Sequence, residues 1–177
     1  MEKYDFCAGI PALVDLCEKA HDLHVVSFQS DMSLRSFLAS SLSYMPGWMR
    51  FLYRVRKRFV ALLGIDQDGI PETEGIRPQD VSFTPGEAAS FFTVVAAQEE
   101  RFWLALAQDD IITGYLAVVV EEHERCHRRF HFMTGAVWQG WKGRVYYNAI
   151  LPFHHLVVRC MLRNALMQNS STVADVQ

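Results

Sequence analysis

The residues HERCH, 123–127, match H-E-x-x-H. On a helix, His123 and His127 would stand one turn apart and share a zinc ion, with Glu124 as the general base of a metallopeptidase. The flanking residues argue for a different conformation. YLAVVV, 115–120, is a strand-type run of aromatic and β-branched residues. Glu121, Arg125, Arg128 and Arg129 put charge where the extended zinc-peptidase pattern is uncharged, and no glutamate follows Glu124 to act as third ligand. His131, His154 and His155 have no recognised spacing to replace it. EEHERCHRR therefore reads as a charged β-turn, and we expect no metal and no other cofactor. Cys126 and His127 are neighbours; on a strand they face opposite ways, so they make a poor nucleophile–base pair.

A second pair of histidines follows a proline in GRVYYNAILPFHHLVVRCMLRNAL, residues 143–166. The run reads as one long helix. Pro152 has no N–H and its ring crowds the carbonyl of Asn148, so a kink is expected there. Tyr147, Leu151, His155 and Val158 form one stripe; Val145, Ile150, Phe153, Val157 and Met161 form another. A helix apolar over so much of its circumference should be buried, which places the break against a sheet or another subunit. The freed carbonyl would then accept from water or from a ligand. His154 and His155 point about 100° apart, so one of them at most faces a given cavity. Trp103, Tyr115, Phe132, Trp138 and Tyr146 can line such a cavity with His154 and His155, or fill it as core. No nucleophile elbow, phosphate loop or dinucleotide fingerprint is present.

The elements that must position these residues are legible. HVVSFQSD, from His24, reads as a strand. Asp31 or Ser33 can cap the helix SLRSFLASSLSYM, which Pro46-Gly47 interrupts. WMRFLYRVRKRFVALLG is a second helix with the apolar stripe Trp48, Leu52, Val55, Phe59 and Leu62, and with Arg50, Arg54, Lys57 and Arg58 on the other side. Its basic run could dock an acidic partner or a lipid surface; we read it as a solvated face whose long stems cover apolar surface. Residues 66–90, rich in proline and glycine, form a long loop. Strands follow at 91–98, 101–108 and 115–122, with a fourth from Arg128 to Val137. Short turns between them make an antiparallel meander.

The chain has 177 residues and fits one domain, residues 1–168, with a frayed tail at 169–177. A net charge of −3 argues against nucleic acid as a main partner. The four cysteines lack C-x-x-C spacing and read as reduced thiols of a cytoplasmic protein. The charged start MEKYDF, with Pro11 and Asp15 breaking the next apolar run, is not a signal peptide. No stretch reaches the ~18 uncharged apolar residues of a membrane span.

Two separated stretches carry a resemblance. SFLASSLSYMPGWMRFLYRVRKRFVALLGI, 36–65, resembles the "PGW" helix pair of bacterial domain-of-unknown-function family 2867. The 143–165 stretch resembles that family's closing helix through Gly143, Arg144, Tyr146, Pro152, Phe153, His154, Met161, Leu162 and Arg163. The resemblance spans about residues 24–165 and places HERCH at a hairpin. The chain departs from the pattern at DDIITGY, 109–115, where the family reads D-D-x-H-L-D-F. The resemblance implies the START/SRPBCC-like helix-grip superfamily, whose members enclose apolar ligands between sheet and helix. It brings no catalytic residues with it.

The expected fold is α+β: a curved antiparallel sheet packed against a long kinked C-terminal helix, with two helices after the first strand. The expected function is binding of a small apolar molecule between sheet and helix. One alternative is an enzyme on the same scaffold, with His154 or His155 as general base and Tyr115 or Tyr146 as donor. Another is a non-catalytic module serving a dehydrogenase-like partner, since related domains follow such proteins. Self-association into a homodimer stays open.

Overall fold

The structure, a computed structural model, describes residues 2–62, 75–122 and 128–174. HERCH and residues 66–74 of the expected loop lie outside the described residues. One six-stranded antiparallel sheet is built from β1 (Asp22–Ser30), β2 (Ala88–Ala89), β3 (Phe92–Gln98), β4 (Phe102–Gln108), β5 (Ile112–Glu122) and β6 (Arg128–Trp138). Its spatial order is β1-β6-β5-β4-β3-β2. The four strands expected from residue 91 onward form the meander that their short turns require. β1 joins at the far edge, with Asp22 opposite Ala136 and Ser30 opposite Arg128. The Asp109 carboxylate tightens the β4–β5 turn by accepting from the backbone N–H groups of Ile111 and Ile112, at 3.0 and 2.9 Å.

Among the described residues, four α-helices accompany the sheet: α1 (Pro11–Lys19), α2 (Leu34–Leu42), α3 (Gly47–Leu62) and α4 (Gly140–Ala174). Of the two candidate caps, Ser33 caps α2, its hydroxyl accepting from Ser36 N at 3.2 Å. The α+β helix-grip arrangement expected from the sequence is the one observed.

Strand alternation divides the buried residues between two layers. Trp103, Ala105, Leu116, Val118, Val120, Phe130 and Phe132 point to one face, where α2 and the inner side of α4 supply Phe37, Leu38, Val158, Leu162 and Ala165. Leu104, Ala117, Val119 and Met133 point to the other. That second face is covered by a segment the sequence reading left without an element: a 3-10 turn at Glu2–Cys7, then α1. Cys7, Ile10, Leu13 and Leu16 seal it. Burial on both faces explains why β5 reads as a nearly continuous apolar run.

Two expectations about the helices are corrected. Within α3, Trp48 and Val55 of the expected stripe are exposed, Leu52 is half-buried, and Met49 is the buried apolar residue. The side chains of Phe59 and Leu62 lie outside the described residues. The helix is rotated because Arg56 turns inward: it donates to the Tyr146 hydroxyl of α4 and lies 3.8 Å from the Asp109 carboxylate. The second correction concerns the surroundings of Pro152, which lies inside the single long helix α4, as expected. Pro152 and Asn148 are both exposed, as are Val145, Phe153 and Leu156. The break therefore faces away from the sheet, on a side left open to solvent or to another subunit. Water can satisfy a carbonyl freed on a solvent-facing side, which is where a helix interior tolerates a proline.

Among the described residues, no helix is long and apolar enough to cross a membrane.

Candidate functional site

The seven residues proposed from the sequence fall into four places. Trp103 and Phe132 are fully buried between the sheet and α2, and Trp103 Nε1 donates to the Ser82 carbonyl at 2.9 Å. They belong to an aromatic cluster in which Phe37 meets Phe130 and Phe132 at 5.4 and 6.1 Å, so they fill the interior rather than line a void. Tyr115 packs on the opposite face, with the α1 cluster. Trp138 and Tyr146 sit at the N-terminal end of α4 beside Ile111, Ile112 and Tyr147. Trp138 stacks on Tyr147 at 5.0 Å.

His154 and His155, half-way along α4, are the pair that reaches a functional-looking environment. His155 lies 4.9 Å, ring to ring, from His24 of β1. His154 Nε2 is 3.2 Å from the Thr134 hydroxyl of β6. Two turns earlier, the Tyr147 hydroxyl donates to the Asp22 carboxylate at the start of β1. Burial, and after it the bond to Asp22, pushes the Tyr147 phenol up, so it remains a donor. Burial, with His155 and His24 acting the same way, pushes the His154 ring down to about 4. Burial and His155 lower His24 as well. At neutral pH His154 is thus uncharged. A base held that low is poorly matched to proton abstraction near pH 7.

This row of polar groups opens at its C-terminal end into a cleft of about 590 Å³ between β1 and α4. Val26, Leu162, Leu166 and Met167 give it apolar lining, and His24, Arg159 and Arg163 add polar and charged groups to the same wall. Both elements dictate this lining. On β1, alternation puts His24 and Val26 on one face. On α4, residues 155, 159, 162–163 and 166 recur at helical spacing, so one edge meets the strand. His24, Arg159 and Arg163 were not singled out from sequence as site residues. The arginine spacing was visible, but nothing in the sequence shows that β1 pairs with β6 and so lies beside α4.

A second histidine network stands on the other face of the sheet. His131 Nδ1 is 2.8 Å from Ser27 Oγ, and its Nε2 is 2.8 Å from Glu121 Oε2. The order serine–histidine–carboxylate is that of a hydrolytic relay. Phe6 lies flat on the imidazole, rings 4.0 Å apart, which closes the approach over the ring. We read the network as the means by which a buried histidine is satisfied across three strands. Among the described residues, no group of three or more histidine, cysteine or acidic side chains could hold a metal ion.

A comparison with curated proteins finds no match. The family model described as "Protein of unknown function (DUF2867)" matches residues 19–161, which is most of the chain and all of the sheet; of the cleft it takes in His24, Val26 and Arg159 and stops short of Leu162, Arg163, Leu166 and Met167. The chain belongs to the DUF2867 family.

Proposed function

We propose that the protein binds a small, largely apolar molecule in the cleft between β1 and the C-terminal half of α4. Arg159, Arg163 and His24 would hold a polar or anionic end of it. The observation that carries this reading is the cleft itself, which combines apolar lining with two arginines. Its volume of about 590 Å³ falls within the roughly 300–1,000 Å³ of small-molecule sites. The whole of residues 1–168 is the binding unit, since β1 and α4 lie at opposite ends of the chain. We place the activity in the cytoplasm, in keeping with the free thiols of Cys7, Cys17 and Cys160.

Native mass spectrometry with organic extraction, on untagged protein from its own host, tests the reading. A retained molecule is expected. It should be lost from Met167→Asp, which puts charge on the exposed edge of the cleft at little cost to folding. Empty wild-type protein, or a molecule equally retained by the variant, overturns the proposal.

A further inference from the structure

Helix α3 turns its apolar edge away from the protein. At about 100° per residue, Met49, Tyr53 and Arg56 share the side that docks on α4. Met49 there is 2% exposed. Trp48, Phe51 and Val55 share an edge roughly 130° round the helix. They are 37%, 60% and 48% exposed. Arg54 and Arg58 follow next round the surface and are exposed too. Single exposed apolar residues are ordinary. Here two aromatic residues and a valine recur along one edge of one helix, with basic residues beside them. The stems of those arginines leave the ridge uncovered, contrary to the solvated-face reading of the sequence. α3 also holds five basic residues and no acid, in a chain whose net charge is −3.

We propose that α3 is an interfacial helix, laying Trp48, Phe51 and Val55 into an anionic lipid surface with Arg54 and Arg58 at the level of the headgroups. A convex ridge of alternating apolar and basic residues needs apolar volume and negative charge in one plane, and a membrane surface supplies both. A second copy of the chain is a poorer fit. Five of its carboxylates already have basic partners: Asp15 with Lys19, Asp80 with Arg77, Glu99 with Arg35, Glu100 with Arg128 and Asp109 with Arg56. The inference does not depend on the cleft between β1 and α4.

Vesicle flotation of the untagged chain decides it, using phosphatidylcholine alone and equimolar phosphatidylcholine and phosphatidylglycerol. Binding to the anionic vesicles only is expected, weakening as salt is raised. Phe51→Ser should weaken it. Arg54→Glu with Arg58→Glu should weaken partition roughly thirtyfold or more, at about one decade or less per basic residue removed. Both variants change exposed side chains, and circular dichroism confirms that they fold. No flotation, equal flotation on neutral vesicles, or flotation indifferent to both variants overturns the proposal. So does a salt-resistant doubling of mass without lipid that the same variants abolish, which would assign the ridge to a second copy.

Discussion

His154 shows how burial sets the chemistry of a single residue. Its ring is packed between α4 and the sheet beside two other imidazoles, and its proton affinity falls to about 4. The consequence for stability has a definite sign. An unfolded chain takes up this proton near pH 6.5, whereas the folded protein does so only near pH 4. Stability is therefore unaffected above pH 6.5 and declines as the pH falls towards 4, by an amount on the order of a few kcal/mol. His24 shifts in the same direction and adds to the decline. Denaturant titrations along this pH range should show a shallower decline for His154→Gln than for wild type. Equal slopes would mean that the ring is solvated. Gly143 is a second residue with a single physical reason. A Cβ there would lie 2.4 Å from the Ile111 carbonyl oxygen and 3.0 Å from Trp138 Cβ. Gly143→Ala should cost about 1–3 kcal/mol in chemical denaturation, because the backbone of α4 must move off the β4–β5 turn.

Among the elements, α3 and α4 depend on each other through one contact. Arg56 donates to the buried Tyr146 hydroxyl and faces Asp109. The bond from the guanidinium to the phenol is charge-assisted and worth ~1.5–3 kcal/mol; the carboxylate at 3.8 Å adds an ion-pair contact. Arg56→Ala should destabilise by about that much and Tyr146→Phe by less. A double-mutant cycle should show coupling between them; additive effects would place the docking energy elsewhere. The same contact accounts for what the sequence reading of α3 lacked. The apolar stripe was correctly located on the helix wheel, but the side that docks is decided by a partner on another element. For α4 the sequence made its length and stripes legible, while the number of sides covered depended on which neighbours arrived.

For the whole molecule, the sheet has two covered faces, and the second is sealed by the first nineteen residues. Leu13 is fully buried against that face. Leu13→Ala should cost about 2–5 kcal/mol. Deleting residues 1–19 removes several such contacts, a loss comparable with the roughly 5–15 kcal/mol that holds a typical domain together. The truncated chain should bind a hydrophobic dye and lose its cooperative unfolding transition. A sharp thermal transition in the truncated form would show that the first face suffices.

Local pattern determined most of the elements. Alternation of β-branched and aromatic residues located β1 and the four-strand meander, because a strand's side chains report directly on its two faces. Serine caps, Pro46-Gly47 and helical spacing bounded α2, α3 and α4, because helix ends need local hydrogen-bond partners. The shared sequence pattern pointed to the family, and the family model matches. What lay beyond reach were facts of long-range pairing. That β1 lies beside β6, which brings His24 to His155 and opens the cleft, is set by the register of strands a hundred residues apart. That Trp103 and Phe132 fill space while Tyr115 faces away depends on which layer covers each side of the sheet. That Pro152 faces away from the sheet depends on how α4 is rotated by its contacts. Such choices minimise exposed apolar area and unsatisfied polar groups over the entire chain, and no short segment carries that sum.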